Sequence, residues 1–503
     1  MAEAVVEERQ LLKTLRWYDG FVIALANPGF LLGSLGYSVL DLGGWGAVLL
    51  WGITAALIVP VMVLYSELAA MFPNKSGGFP IYANEGWRKY TTLIGPIATF
   101  GYWIGWSVVL AFLGLFNGSI AQAAWFPGEK WGTNAFGGST IDNGYFSTGS
   151  VHIGLQHLIA IGLILAVWAF NVFGTRIGVT FNYLSGALLM LPLFCFMFLP
   201  FLNGDFHSSN LHLQFAHNQW GGLQLALVWI WIMIWSAGGV DTCATFAPEY
   251  KDTVRDTRKA LLSSAIFSLI VYTVLPLGLT GGFGAKGVAA YDYVGALNKF
   301  VGSGASDFFV VVIIFSFLIS MNTATADGSR ALYGISKDGL TIKELGMLNR
   351  WNVPGYAMSL DTVINILFVL FVGNIFGILA ASNIGYVLAH VFALSGYVLL
   401  RRDRPLWPRP IKLHAYWTPV AAALCALFVL FTIVGVGWFQ IAAGGYGRGA
   451  TVKVIGFGIL GVSLLLFLFR RIVQDGEAPH WREDVPQTPG EEQAPAAMGV
   501  PAT

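Results

Sequence analysis

The feature that most constrains this sequence is a series of twelve apolar segments, each about 20 residues long, which is the length of a helix that spans a bilayer. Charged residues make up 11% of the 503 residues, less than half of the roughly 25% typical of soluble domains. No segment alternates in the manner of a barrel strand. The sequence therefore predicts an all-α polytopic membrane protein with twelve transmembrane helices. The predicted spans lie near residues 18–41, 44–71, 93–124, 151–171, 176–202, 222–248, 261–283, 306–335, 356–379, 382–400, 416–440 and 452–470.

Lysines and arginines are distributed unevenly over the loops between these segments. With the N-terminus inside, five of the 28 fall in the predicted outer loops, namely Lys130, Lys286, Lys299, Arg448 and Lys453. This imbalance is the positive-inside pattern that sets the orientation of membrane proteins. The first residues lack the apolar region and cleavage site of a signal peptide. We therefore expect a multi-pass protein of the cytoplasmic membrane with both termini in the cytoplasm.

Composition and motif content argue against several classes of protein. The formal net charge of +1 gives no reason to expect a nucleic-acid partner. The three cysteines lie in or beside apolar segments and fit packing roles. The eight histidines are scattered, and neither a metal-ligand set, an acid–base cluster nor a phosphate-binding loop is present. We expect neither an enzyme nor an ATP-driven pump, with no cofactor and no bound metal.

Two of the predicted helices are interrupted near their middle. The first contains Asn27, Pro28 and Gly29, and the sixth contains the stretch Ser236–Gly239; such residues break or loosen a helix. Taken alone, each would fit close helix packing. Breaks at corresponding positions of two five-helix halves, however, are typical of inverted-repeat transporters, in which they form the binding site, and not of channels. Free N–H groups suit a carboxylate and free carbonyls suit an ammonium group, so the pattern predicts a transporter of amino acids or related amines.

The same pattern divides the chain into three parts. Residues 1–16 are predicted to form a cytoplasmic N-terminal segment, and residues 17–471 a twelve-helix transporter domain. The polar, proline-rich residues 472–503 are predicted to be a disordered cytoplasmic tail. Within the domain, the predicted parts are repeat one at about 17–202, repeat two at about 222–400, and helices eleven and twelve at about 416–470.

Four motifs resemble those of the amino acid–polyamine–organocation (APC) superfamily of permeases. They are "SELAAMFPNKSGGFPIYANEGW" (Ser66 to Trp87), "IWSAGGVDTCATFAPEYKDTVRDTRKA" (Ile234 to Ala260), "GSRALYGISKDGL" (Gly328 to Leu340) and "GYVLLRRDRPLWPRPIK" (Gly396 to Lys412). The resemblance covers roughly residues 15–470. It implies a 5+5 inverted-repeat (LeuT-like) transporter fold with broken helices 1 and 6, and alternating access around a central site.

Carried onto the matching positions, the resemblance implies that the substrate binds between the two breaks. The implied substrate-binding residues are Ala26, Asn27, Pro28, Gly29, Trp235, Ser236, Ala237, Gly238 and Gly239. Trp235 matches an aromatic residue that covers the substrate in the arginine/agmatine exchangers of this superfamily. An alternative register places the first break later, at Gly33, Ser34 and Gly36.

Four acidic residues in or near the spans are candidates for proton coupling or gating, because charges inside a bilayer are costly. Asp241 follows the second break and matches a glutamate with a pH role in the exchangers; capping of the second half-helix is the alternative. Asp327 is either a coupling or cation-binding group or a structural partner of Arg330. Glu67 and Glu249 lie near predicted cytoplasmic helix ends and fit gate pairs with lysine or arginine.

The leading prediction is a secondary active transporter with proton-coupled uptake, ahead of exchange and of sodium symport. Thr323 and Thr325 are candidates for a sodium site between helices one and eight, while span five lacks, after Arg176, the lysine that replaces sodium in some proton-coupled members. His390 stands alone in span ten and fits a packed, hydrogen-bonded histidine better than a proton relay. The expected partners are an amino acid or amine, the proton with sodium as the alternative, and the lipid bilayer.

Overall fold

The computed structural model describes residues 10–126, 146–148, 151–215, 220–371, 375–443 and 449–486. These residues are helical apart from a short antiparallel hairpin of strands β1 (Phe146–Thr148) and β2 (Val151–Ile153), short 3₁₀ and π turns, and connecting loops. Residues 487–503 of the predicted tail lie outside the described residues. The α-helices are α1 (Trp17–Ala24), α2 (Asn27–Met71), α3 (Phe79–Trp87), α4 (Ile94–Ser107), α5 (Val109–Trp125), α6 (Leu155–Val172), α7 (Thr175–Leu202), α8 (Leu223–Gly238), α9 (Thr242–Thr245), α10 (Thr253–Phe283), α11 (Ala285–Ala289), α12 (Tyr293–Val301), α13 (Ser306–Lys337), α14 (Gly355–Phe371), α15 (Ile375–Asp403), α16 (Trp417–Trp438) and α17 (Gly449–Phe469).

Ten helical stretches within the described residues are long and apolar enough to cross a membrane, so the chain is an all-helical polytopic membrane protein. A further apolar helix, α14, is shorter. The ten stretches are Phe30–Met71, Ile94–Gln122, Leu155–Val172, Thr175–Leu202, Leu223–Thr245, Thr253–Phe283, Asp307–Lys337, Gly377–Asp403, Trp417–Ile441 and Gly449–Gln474.

The helix α2 is divided at Gly43. Its 45 residues would extend about 68 Å as one straight helix, roughly twice the thickness of a hydrocarbon core. Gly43 has a φ of 71° inside this stretch, a conformation that glycine adopts without strain. A Cβ atom there would lie 2.2 Å from the carbonyl oxygen of His212. Gly43 is therefore the turn between two apolar segments, at the place where the sequence predicts the end of the first span.

Both helices that the sequence predicts to be interrupted contain a discontinuity. α1 ends at Ala24 and α2 begins at Asn27, so the first break lies at Leu25 and Ala26. Pro28 occupies the first turn of α2, where its missing N–H group is tolerated. In the sixth helix, α8 ends at Gly238 and a 3₁₀ turn, Gly239–Asp241, leads into α9.

The predicted boundary between the ninth and tenth spans is misplaced. The sequence places it near residue 380, whereas α14 ends at Phe371 and α15 begins at Ile375. Ser382 and Asn383, at the predicted start of the tenth span, lie inside α15. The Ser382 hydroxyl donates to the carbonyl of Leu379 at 2.8 Å, and the Asn383 amide donates to that of Trp231 at 2.8 Å. Because both side chains have partners, they do not interrupt the helix.

Helix packing recurs between the first half (α1 to α7) and the second half (α8 to α15). The packing of α4 on α15 corresponds to the packing of α13 on α7, with α4 and α13 at equivalent places in the two halves. In the same way, the packing of α2 on α8 corresponds to that of α10 on α1. Likewise, α5 packs on α6 as α13 packs on α14. The contact between α4 and α15 is close because glycines meet there: a Cβ atom on Gly101 would lie 2.4 Å from the carbonyl oxygen of Gly385.

Candidate functional site

The first break has backbone carbonyls that receive hydrogen bonds from α13. Ser320 Oγ donates to the carbonyl of Ala26 at 2.7 Å, and Thr323 Oγ1 donates to that of Ile23 at 3.0 Å. The amide of Asn182 on α7 donates to Thr323 Oγ1 at 3.1 Å and so fixes the hydroxyl. All five residues are buried. Backbone carbonyls at and just before the break therefore have the hydrogen-bond partners that they need inside a membrane.

The 3₁₀ turn of the sixth helix places the carboxylate of Asp241 among tyrosines. Tyr386 Oη on α15 donates to Asp241 Oδ2 at 2.6 Å, and Tyr102 Oη on α4 donates to Asp241 Oδ1 at 3.3 Å. One turn earlier, the carbonyl of Ser236 accepts a hydrogen bond from Tyr272 Oη at 2.9 Å. Asp241 and Tyr102 are completely buried. The break therefore carries a carboxylate that two other helices hold in place.

His390 lies beside Asp241 and is packed on both sides. Its Nδ1 atom is 2.7 Å from Tyr65 Oη, and its ring stacks on Phe79 at a centroid distance of 4.2 Å. Its Nε2 atom is 3.4 Å from Asp241 Oδ2. The packed, hydrogen-bonded histidine expected from the sequence is confirmed, but its second nitrogen faces the carboxylate. Among the described residues Nε2 has no hydrogen-bond partner, and it is a close neighbour of the carboxylate.

Asp327 lies on α13, four residues after Thr323. It is hydrogen-bonded to α9, the short helix that follows the second break. Thr242 Oγ1 donates to Asp327 Oδ1 at 2.8 Å, and the residue is completely buried. The pairing of Asp327 with Arg330 is not what the structure shows, because the guanidinium of Arg330 pairs with Glu249. Among the described residues, neither Asp241 nor Asp327 forms an ion pair with a lysine or arginine.

An aromatic cluster adjoins the first break. The indole N–H of Trp235 donates to the carbonyl of Gly105 at 2.8 Å, and its ring is 4.9 Å from that of Phe30. The ring of Phe30 also meets Trp106 edge-on at 5.4 Å. Trp235 is therefore fixed between α4 and the start of α2, close to both interruptions.

The structure brings most of the predicted substrate-binding residues to one region. α1 contacts both the 3₁₀ turn and α9, so the two breaks are neighbours. Ala26 lies in the first break itself, Gly239 lies in the 3₁₀ turn, and Ser236–Gly238 form the last turn of α8. The side chains of residues 27–29 lie outside the described part of the chain.

Glu249 and Arg330 form a buried ion pair at the membrane face where α1 begins. The Arg330 guanidinium also donates to Thr175 Oγ1 at 2.8 Å and lies 4.3 Å from the ring centroid of Phe246. The N-terminal segment covers the pair, since the amide of Leu15 donates to the carbonyl of Glu249 at 2.9 Å. The lysine or arginine partner expected for Glu249 is therefore present.

Glu67 has a similar environment between α2 and the end of α15. Its carboxylate pairs with Arg401 and with Arg409, whose Nε atom is 3.2 Å away, and accepts a hydrogen bond from Tyr397 Oη at 3.0 Å. Glu67 is completely buried. Two arginines and a tyrosine thus join α2 to the end of α15 and the loop that follows it.

A third charged cluster centres on Glu85 in α3, outside the membrane-spanning stretches. Lys75 lies 2.9 Å away, Arg404 2.8 Å and Arg88 3.2 Å. Burial alone would raise the pKa of Glu85, but these three positive charges outweigh it and hold the pKa below its usual value. Burial raises the pKa of Asp338, which shares Lys75 at 2.8 Å. This cluster is not among the sites predicted from the sequence.

Sequence reasoning also missed groups around the two breaks. Tyr102 and Tyr65 carry no signal in the sequence, because a tyrosine in an apolar helix is usually a packing residue. The spacing of Tyr386 and His390, four residues apart on α15, is the signal that could have found this polar face. Asp361, a buried carboxylate on α14, was also missed; the indole of Trp103 donates to it at 3.0 Å.

Apolar spans, two neighbouring helix breaks and buried polar groups at those breaks define a polytopic membrane transporter. The family model described as amino acid permease matches residues 18–464. The chain therefore belongs to the amino acid permease family of the APC superfamily, whose members are transporters and not enzymes. Membership implies the LeuT-like fold.

Curated relatives with amino acid transport functions match over most of the chain. The glutamate/serine transporter AimA of Bacillus subtilis (strain 168) is 22% identical over 430 residues, covering 82% of this chain and 75% of the relative. The amino-acid permease RocE of the same organism is 24% identical over 376 residues, covering 69% and 71%. Its gamma-aminobutyric acid permease is 20% identical over 450 residues, covering 84% and 88%.

Proposed function

We propose that this chain carries amino acids or related amines across the cytoplasmic membrane by alternating access, coupled to the uptake of protons. The observation that carries the proposal is the position of Asp241. This buried carboxylate lies at the break of the sixth helix, beside His390 and without a lysine or arginine partner among the described residues. A group that can gain and lose a proton thus adjoins the backbone proposed to bind the substrate.

Twelve crossings in a 5+5 inverted repeat account for the helix pattern. The ten apolar stretches become twelve crossings when α2 is counted as two segments divided at Gly43 and the shorter α14 is included. The packing of α4 on α15 recurs as the packing of α13 on α7. In this count α13 comes five crossings after α4, and α15 five crossings after α7, which is what two related halves produce. The helices α16 and α17 follow the second half as crossings eleven and twelve.

The two breaks supply complementary groups for an amino acid. α1 ends at Ala24 and so offers carbonyls to an ammonium group, while the start of α2 at Asn27 offers N–H groups to a carboxylate. Trp235 covers the site from the side of α8. Two of the relatives, a glutamate/serine transporter and a gamma-aminobutyric acid permease, support a substrate of this class.

Proton coupling follows from the energetics of the two carboxylates. An uncompensated charge inside a protein costs several kcal/mol, and Asp241 and Asp327 are both completely buried. Binding a proton removes that cost, whereas opening the site to water allows the proton to leave. Because Thr242 joins Asp327 to the helix that carries Asp241, a change at one carboxylate reaches the other.

Sodium symport is the second candidate, and one observation favours it. The carbonyls of Ile23 and Ala26 converge on the hydroxyls of Ser320 and Thr323, and these are oxygen ligands of the kind that a hard cation prefers. A sodium ion there would replace two hydrogen bonds. Thr325 is not needed for such a site, because its hydroxyl donates to Met321 on its own helix at 3.1 Å.

The ion pairs Glu249–Arg330 and Glu67–Arg401 are proposed to close the cytoplasmic side. They lie on the face where α1 begins, which the positive-inside pattern assigns to the cytoplasm. Their rupture would release α13 from the Ala247–Glu249 turn and the end of α15 from α2. In this proposal the structure has its inner side closed.

Uptake by purified protein in liposomes tests the proposal. Labelled amino acids and amines are offered singly, first in counterflow and then with an imposed pH gradient or sodium gradient. Accumulation driven by the pH gradient is the expected result. Exchange that ignores both gradients would make the protein an antiporter, accumulation driven by sodium would favour the second candidate, and no uptake by folded protein would refute the substrate class.

A further inference from the structure

A pocket with a basic lining lies between the start of α1 and the start of α7. Its volume is about 440 Å³, and Arg16, Arg176 and Lys251 contribute positive charges to its lining. The hydroxyl of Thr180 also lines it, and Asp19 is the one carboxylate in this lining. The three cations come from the N-terminal segment, α7 and the loop before α10, so residues distant in the sequence converge on one cavity.

The charges of this pocket are not balanced within the described part of the chain. Both oxygens of Asp19 already accept hydrogen bonds, Oδ2 from the amide of Arg16 at 2.7 Å and Oδ1 from Tyr183 Oη at 2.8 Å. Among the described residues, no ion pair involves Arg16, Arg176 or Lys251. The lining therefore carries a net excess of positive charge and suits an anion.

The surroundings of the pocket belong to the membrane surface. Ile177 and Leu184 of α7, a helix long enough to span the bilayer, are 47% and 56% exposed next to it. Trp17 and Tyr18 of α1 are also exposed at this level. Exposed aliphatic side chains on the spanning helix, next to tryptophan, tyrosine and arginine at its end, are typical of the level of the lipid headgroups.

We propose that this pocket binds the headgroup of an anionic phospholipid. The guanidinium groups of Arg16 and Arg176 and the ammonium group of Lys251 bind the phosphate, and the acyl chains lie along the apolar surface of α7. A membrane lipid fits better than a free phosphate because the cavity adjoins exposed aliphatic side chains as well as cations. The bound lipid joins α1 to α7, beside the hydrogen bond between Asp19 and Tyr183. This inference does not rest on the proposed transport function.

Mass spectrometry of the intact protein, released from micelles titrated with lipid, tests the inference. The lipids are phosphatidylglycerol and phosphatidylcholine, and inorganic phosphate serves as competitor. The test variant is Arg176→Gln/Lys251→Gln, and the control is Lys412→Gln, an exposed cation outside the pocket. Wild type is expected to prefer phosphatidylglycerol. The double variant should bind it about 25-fold more weakly, fivefold for each charge removed, and the control should match wild type.

A second variant separates charge from folding. Arg176→Lys/Lys251→Arg keeps both charges and should retain phosphatidylglycerol binding within about threefold, since only the geometry of the contacts changes. Equal binding of both lipids, or an equal loss in the double variant and in Lys412→Gln, would overturn the proposal. Displacement of the lipid by inorganic phosphate at equal concentration would assign the pocket to free phosphate and overturn the lipid source.

Discussion

At the scale of single residues, the ion pair of Glu249 and Arg330 buries two opposite charges beside the proposed site. Both side chains are 1% exposed. Removing one partner of a buried pair leaves an uncompensated charge, whereas removing both does not. The same logic applies to Asp241, whose hydrogen-bond partners are two tyrosines in place of a cation.

We expect Glu249→Gln to lower the free energy of unfolding by roughly 3–5 kcal/mol, because Arg330 would stay buried without its carboxylate. The double variant Glu249→Gln/Arg330→Met should recover at least half of that loss. Thermal and denaturant unfolding in detergent measures both. A single variant as stable as wild type would show that the pair contributes nothing to stability.

Substrate affinity is expected to depend on Trp235. Trp235→Leu removes the ring proposed to cover the substrate, and a lost aromatic contact with the substrate of about 0.5–1.5 kcal/mol corresponds to a KM raised roughly two- to tenfold. The matched control is Trp231→Leu, one turn earlier, whose ring packs on Phe439 of the turn after α16. Initial rates of uptake at varied substrate concentration measure KM. A larger rise for Trp231→Leu than for Trp235→Leu would place the substrate elsewhere.

Some residues that the structure places at the two breaks could be singled out from the sequence and others could not, for physical reasons. Asp241 was identifiable because a charge in an apolar segment needs an explanation. The partner of Arg330 was not, because Glu249 is 81 residues away and only the fold brings the two together. For Asp327 the sequence offered two readings, a coupling or cation-binding group and a pair with Arg330 three residues along its helix, and the structure does not contain that pair.

At the scale of helices, glycine contacts determine how closely α4 and α15 approach. We expect Gly101→Ala to destabilise the protein by roughly 1–3 kcal/mol, since the added methyl group would overlap the backbone of Gly385. Gly162→Ala on α6 is the control, because a Cβ atom there meets nothing within 4 Å. The control should be neutral or more stable by up to about 1 kcal/mol, from the higher helix propensity of alanine. The unfolding midpoints of both variants in detergent measure the difference in stability. Equal stability of the two variants would contradict the close contact.

Helix positions followed from the sequence because apolar length and proline or glycine breaks are local properties. The first break was displaced only slightly, since Pro28 tolerates the first turn of a new helix and so falls after the interruption. The predicted boundary before α15 was displaced by several residues, and the polar Ser382 and Asn383 at the predicted start of the tenth span are hydrogen-bonded inside α15. Local polarity does not reveal whether a partner will be present.

At the scale of the whole molecule, the Glu85 cluster connects segments that are far apart in the chain. Arg404 is 319 residues from Glu85, and Arg88 also pairs with Glu483, beyond the last helix. The amide of Thr92 donates to the carbonyl of Trp481 at 3.0 Å. Residues 472–486 of the predicted tail are thus among the described residues and contact the loop before α4. Polar, proline-rich composition alone did not indicate this contact.

The pH dependence of stability should report on this cluster. The pKa of Glu85 is lower in the folded protein than its usual 4.5, so its ionised form adds stability at neutral pH that is lost as the pH falls below 4.5 through the folded pKa. Glu85→Gln should therefore lower the unfolding temperature at pH 7, with a difference that shrinks below pH 4.5. The exposed Glu477→Gln is the control and should change little. A difference that is constant with pH would contradict the assignment.

The most direct test of proton coupling at the second helix break is pH-gradient-driven accumulation by Asp241→Asn protein in liposomes. The matched control is Asp361→Asn, which also neutralises a completely buried carboxylate but one that bonds to Trp103 on the other side of α4. We predict that Asp241→Asn abolishes accumulation driven by the pH gradient while counterflow persists, and that Asp361→Asn still accumulates substrate. Accumulation by Asp241→Asn at the wild-type level would contradict the account and remove Asp241 from the coupling path.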